Sequence, residues 1–173
     1  MIAVLMGVSG CGKTTIGRLI ANRAGWMFAD ADDYFPPSHK QKMAGGTALT
    51  DEERAPWLHD LNRLLRGWDG DGTSGVLACS ALKVKYQETL KDGVVPAHLQ
   101  FIFLDGPKEL IATRLAKRRH EYMNPKLLDS QLATLERPTD ALHVVNDRAP
   151  EEVAGRILEY LAASRTAHGQ QIF

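Results

Sequence analysis

The amino end reads Ile2-Ala3-Val4-Leu5-Met6, then at once Gly7-Val8-Ser9-Gly10-Cys11-Gly12-Lys13-Thr14. Five apolar residues feeding the spacing Gly-x-x-x-x-Gly-Lys-Ser/Thr describe a buried strand, a tight turn and a helix in succession. The spacing has a chemical reason. Glycines let backbone N–H groups turn inward and approach a polyphosphate with no Cβ in the way. Lys13 brings a point charge toward the β- and γ-phosphates, Thr14 offers its hydroxyl to Mg2+, and the following helix turns its positive end to the anion. Gly7, Val8, Ser9, Gly10, Cys11, Gly12, Lys13, Thr14 and Thr15 are therefore the candidate nucleotide-binding segment, with ATP and Mg2+ as the expected cofactors. The plain alternative is a glycine turn that merely joins strand to helix. A dinucleotide fingerprint opening at Gly10 is weaker, because Thr15 stands where its third glycine belongs.

Apolar runs of strand length recur at 27–29, 76–79, 99–104 and 142–145, and helical patterns lie between them at 14–24, 51–68, 83–91, 107–118, 126–135 and 150–163. Strands alternating with helices imply an α/β chain with a parallel sheet covered on both faces, and ligands at the carboxyl ends of its strands. The segment 51–68 carries Trp57, Leu58, Leu61, Leu64, Leu65 and Trp68 on one helical stripe, behind the capping box Thr50-x-x-Glu53. Its tryptophans read as packing residues. Between 35 and 68 the chain makes a helical excursion, and 118–126 reads as a cationic flap.

Chemistry-bearing residues cluster just after strands. Asp30 and Asp32 stand two apart, so an extended segment would put both carboxylates on one face. One would hold Mg2+ waters, the other accept a proton from an acceptor hydroxyl. The alternative is an Asp-rich turn that caps a helix. In the flap region, Arg114 is placed to lie over a nucleotide base and Arg118 to reach phosphate, while Lys117 and Arg119 read as a solvated face.

The chain has 173 residues, 21 basic and 21 acidic side chains, and two cysteines. That length suits one domain. The charge balance gives no support to a nucleic-acid or membrane-surface role. Two cysteines make no disulfide framework, and Ile2–Met6 is too short for a leader or a span, so a cytoplasmic protein is expected.

Several segments together resemble the small thermoresistant gluconokinase family. Gly7–Thr14 is similar to its phosphate loop, and the stretch from Asp30 to Tyr34 to its Asp-x-Asp element. Lys42-Met43, then Arg54-x-Pro56-Trp57-Leu58, match its next conserved-looking run; Cys79-Ser80-Ala81-Leu82-Lys83 with Tyr86 matches another. Ser130-Gln131-Leu132-x-Thr134-Leu135-Glu136-x-Pro138 follows the flap as it does in that family. The resemblance implies a P-loop NTPase fold of the nucleoside-monophosphate-kinase type, five parallel strands in order 2-3-1-4-5 with a short flap. It implies a single kinase domain over 1–166 with 167–173 a loose tail. It also implies ATP- and Mg2+-dependent phosphorylation of D-gluconate at its 6-hydroxyl, often by a homodimer. Lys13, Asp32 and Arg118 would then be catalytic; Asp32, Lys42, Arg54 and Lys83 would bind the acceptor; Thr14 and Asp30 would serve the metal. A polyhydroxy carboxylate suits such a mix of cations and hydrogen-bonding carboxylates.

The chain departs from the family at Phe35, His39, Gln87 and Glu121, all expected near the acceptor. Among rivals, a shikimate kinase would carry a Gly-Gly-Gly element where Cys79–Lys83 stands, and a GTP switch would carry an Asn/Thr-Lys-x-Asp motif. A kinase of a related hydroxy acid, a nucleotide kinase and a non-catalytic ATP-binding regulator complete the alternatives.

Overall fold

Strand β1 (Ile2–Met6) is buried at all five residues because it is the middle strand of a parallel sheet. A computed structural model describes residues 1–117 and 127–169. Strands β2 (Met27–Asp30), β3 (Gly75–Ala78), β4 (Leu99–Asp105) and β5 (Leu142–Val145) complete the sheet in the order β2-β3-β1-β4-β5. Val4 lies beside Leu77 of β3 and Phe101 of β4, which fixes the register on both sides. The chain leaves β1 toward β2 on one flank and later crosses from β3 to β4 on the other. The crevice at the carboxyl edge therefore opens over β1, where the glycine loop sits.

Helices occupy both faces. Side chains of β1 alternate, as strand geometry demands. Ile2, Val4 and Met6 enter a core with Trp57, Leu61 and Leu65 of α3 (Asp51–Gly70) and Leu90 of α4 (Val84–Lys91). Ala3 and Leu5 enter the opposite core with Ile16 and Ile20 of α1 (Lys13–Ala24) and Val153, Ile157 and Leu161 of α7 (Pro150–Gly169). Burying each such Leu or Ile contributes about 1.5–3 kcal/mol, so slipping β1 by one residue would forfeit both layers. Helix α2 (Pro37–Ala44) forms the first part of the excursion. Helices α5 (Lys108–Lys117) and α6 (Leu127–Thr134) flank the glycine loop, through Ile111 against Gly10 and Gln131 against Ser9.

The capping box forms as read: Thr50 Oγ1 accepts from the Glu53 N–H at 3.3 Å, and Glu53 accepts from the Thr50 N–H at 2.7 Å. Trp57 and Trp68 are core residues, as read. Most boundaries shift by a residue or more, and the following shifts bear on the reading. Strand β3 runs Gly75–Ala78, which leaves Cys79 to the loop. Helix α3 continues to Gly70. Helix α7 passes Ala163 and ends at Gly169, so residues 167–169 of the expected loose tail are helical. The apolar stripe fades there, but no stop signal intervenes before Gly169. Residues 118–126, with Arg118, Arg119 and Glu121, and the end of the tail at 170–173 lie outside the described residues. Among the described residues no helix is long and apolar enough to cross a membrane.

Candidate active site

The loop between β1 and α1 turns through three glycines with left-handed backbone, at φ +136° for Gly7, +84° for Gly10 and +105° for Gly12. Space is as limiting as conformation. A Cβ on Gly12 would stand 2.3 Å from Nδ2 of Asn146. Gly12 is also the N-cap of α1, with no side-chain cap and no acidic residue in the first turn. The helix's leading N–H groups and positive end are thereby left for an anion. Lys13 folds back over this loop, its Nζ donating to the carbonyls of Gly7 at 2.9 Å and Val8 at 3.0 Å. The Gly7 N–H donates to the Ser80 carbonyl at 3.2 Å, tying the loop to the chain after β3.

Asp30 and Asp32 do not share an extended face. Strand β2 stops at Asp30, and Ala31–Tyr34 is a single 3-10 turn that Asp30 caps, accepting the Asp32 N–H at 3.1 Å. The capping alternative is the one that forms, and the other oxygen of Asp30 accepts from Thr14 Oγ1 at 2.7 Å. Asp32 is left with different work. Burial, and then the negative charge of Asp30, raise its pKa from 3.8 to about 6, with Lys13 pulling in the opposite direction. The turn thus separates two carboxylates into one committed to Thr14 and one poised near neutrality.

A cavity of about 290 Å³ opens beside the loop and is lined by Arg54, Lys83, Asp51, Tyr86, Gln131 and their neighbours. Arg54 and Lys83, two of the expected acceptor residues, meet here. Lys42 and Asp32 do not line it. Lys42 instead makes an ion pair with Glu53 at 2.7 Å, because the capping box fixes that carboxylate within reach. Lys83 is paired as well: Asp51 accepts from Lys83 at 2.9 Å, from Lys85 at 2.5 Å and from the Tyr86 hydroxyl. These bonds, led by Lys85, hold the Asp51 carboxyl well below the usual carboxylate range, while burial and the Asp51 bond push the Tyr86 hydroxyl up. Arg54 lies 6.0 Å from the centre of the Tyr86 ring.

Three departures from the family pattern turn inward. Phe35 is buried and stacks on Trp57 at 4.3 Å, and His39 meets its edge. Gln87 is 2% exposed and donates to the carbonyl of Ala81, whose φ of +42° is left-handed for a non-glycine residue. Gln87 therefore holds the strained turn behind the cavity and presents no group to an acceptor.

Two residues at the loop carry no role in the sequence reading. Gln131 of α6 accepts from the Ser9 N–H at 2.7 Å and donates to Ser9 Oγ at 3.2 Å. Asn146, just after β5, donates to the Cys11 carbonyl at 2.7 Å, and its own backbone carbonyl receives Arg114 at 2.8 Å. The rule that functional residues follow strands covers position 146, which the sequence reading did not name. Its side chain's distance of 135 positions from Cys11 hid the contact.

Comparison with known proteins bears on this geometry. A family model described as shikimate kinase matches residues 9–162. The gluconokinase of Gluconobacter oxydans is 40% identical over 163 residues, covering 92% of this chain and 90% of that protein. The thermosensitive gluconokinase of Escherichia coli is 41% identical over 135 residues, 78% and 71% of the two chains. The crystal structure of a gluconokinase from Sinorhizobium meliloti superposes with a TM-score of 0.86 at 34% identity, over 99% of this chain and 97% of that one. With the glycine loop, the paired aspartates and the sheet order in place, the chain belongs to the gluconokinases, P-loop kinases of the wider group that the shikimate kinase description covers.

Proposed function

We propose that this protein transfers the γ-phosphoryl group of ATP to the 6-hydroxyl of D-gluconate, giving 6-phospho-D-gluconate and ADP. The observation that carries the reading is Asp32, held near neutrality at about 6 within the field of Lys13. A general base works best with a pKa close to the operating pH. Asp32 takes the proton of the acceptor hydroxyl as its oxygen attacks the γ-phosphorus and the bond to the ADP oxygen breaks. Lys13 and the leading N–H groups of α1 hold the phosphates in line, and Arg118 meets the charge on the transferring group. Arg114, anchored on the Asn146 carbonyl, faces the base. Arg54 and Lys83 receive the sugar acid's carboxylate in the neighbouring cavity.

Thr14 Oγ1 and Asp30, a hydroxyl and a carboxylate 2.7 Å apart, are hard oxygen donors that fit Mg2+. An ion held there would supply charge neutralisation to the transferring phosphates. The same reading makes the enzyme a cytoplasmic homodimer that acts on a free small molecule, with neither nucleic acid nor membrane as partner; the balanced charge gives no support to either of those two partners.

The test is ADP release with ATP and Mg2+ across gluconate, other aldonates, shikimate and nucleosides. Gluconate should exceed every other acceptor in kcat/KM by about tenfold or more, and Lys13→Ala and Asp32→Ala should each lose about a hundredfold or more. Another acceptor ahead of gluconate by tenfold would replace the substrate; full activity in both variants would remove the mechanism.

A further inference from the structure

The contact between Ser9 and Gln131 joins the two halves of the site. Ser9 lies at the crown of the glycine loop, two residues from Gly7 and three from Gly12. The carboxamide of Gln131 holds it twice, accepting its N–H at 2.7 Å and donating to its hydroxyl at 3.2 Å. The orientation of the carboxamide follows from the chemistry, because a backbone N–H only donates and so must face the oxygen. Gln131 also lines the 290 Å³ cavity that holds Arg54 and Lys83. One side chain therefore touches the phosphate loop and the acceptor wall together.

Helix α6 is tied down at its other end too. Just beyond it, the Glu136 N–H donates to the Leu82 carbonyl at 2.8 Å, and the Glu136 carboxylate accepts from the Val84 N–H at 2.6 Å. The run from Gln131 to Glu136 thus spans from the crown of the loop to the segment that carries Lys83. Such a strut ties the glycine loop to the wall of the cavity that holds Lys83.

We propose that Gln131 is a positioning residue for phosphoryl transfer: it pins the crown of the phosphate loop to the acceptor wall, and so sets the approach of the acceptor hydroxyl to the γ-phosphate. The inference rests on the kinase reading above, and on no particular acceptor. Lys13 and the α1 terminus grip the phosphates independently of Gln131, so ATP binding survives its loss. In-line transfer does not, because misplacing the reacting groups by about 1 Å costs on the order of a hundredfold.

The experiment compares the native enzyme with Gln131→Met, which keeps the side chain's length and loses both hydrogen bonds to Ser9, and Gln131→Ala. The acceptor is whichever compound the native enzyme phosphorylates best, so a wrong substrate assignment shows in the native enzyme alone and leaves this test intact. Both variants should lose about ten- to a hundredfold in kcat, with KM for ATP changed by less than about threefold and thermal midpoints within about 3 °C of the native value. The ratio of acceptor-independent ATP hydrolysis to transfer should rise in both. If Gln131→Met restores native kcat while Gln131→Ala does not, the residue only packs and the proposal fails. A rise in KM for ATP at unchanged kcat would overturn it equally.

Discussion

Asp32 ties the mechanism to stability, and substituting it separates the two. Its pKa is raised from 3.8 to about 6 in the folded chain, chiefly by burial and next by Asp30. The native state therefore binds the proton more tightly than the unfolded one. Stability from this group is fully present below about pH 4, is lost as pH rises from about 4 to 6, and stays lost above. The displacement amounts to about 3 kcal/mol at 1.36 kcal/mol per tenfold of proton affinity. Asp32→Asn keeps the shape and removes the charge. At pH 8 it should be more stable than the native chain by about 3 kcal/mol, a rise of about 1–2 M in the urea midpoint. At pH 4 the gain should shrink to under about 1 kcal/mol. Phosphoryl transfer at pH 8 should fall by about a hundredfold or more, since an amide accepts no proton. Urea titrations of the ligand-free protein at both pH values, with ADP release at pH 8, decide the matter. An equal gain at pH 4 and pH 8 would refute the electrostatic reasoning, and retained transfer would refute the role as base.

Two further substitutions probe the supports of the site. Gly12→Ala meets both a left-handed φ of +105° and the Asn146 amide at 2.3 Å, and should destabilise by about 2–4 kcal/mol. Asn146→Ala removes one buried hydrogen bond, costing about 1–2 kcal/mol, but clears that space; the double variant should recover about 1 kcal/mol relative to the sum, and strict additivity in denaturant titrations would contradict the packing. Gln87→Leu strips the Ala81 carbonyl of its buried donor and should lower the thermal midpoint by about 3–8 °C, while raising KM for the acceptor through the turn that carries Lys83. An unchanged midpoint by calorimetry would remove that role.

Much of the molecule was legible in order along the chain. The glycine loop is readable because its constraints are local: positive φ, an absent Cβ, and a helix that starts on Lys13. The capping box at Thr50 and the stripe from Trp57 to Trp68 are legible for the same reason, since four-residue and 3.6-residue periods sit within one element. The aspartates were legible as a pair and misread as a geometry. Whether the segment stays extended or closes into a turn depends on the Asp30 cap, which ends the strand one residue before Asp32's own backbone is fixed.

Sequence alone determined the order of the strands' chemistry, the anion-binding turn and the residues that would serve it, because each depends on neighbours a few positions away. Only the tertiary structure decided that Lys42 and Lys83 stand in ion pairs with Glu53 and Asp51, that Gln87 faces a strained turn, and that Gln131 and Asn146 grip the loop from 122 and 135 positions away. Those outcomes hinge on which distant segments the sheet brings together and on how far they exclude water. The raised pKa of Asp32 has the same origin: burial and the field of neighbouring charges exist only once the chain has closed around it.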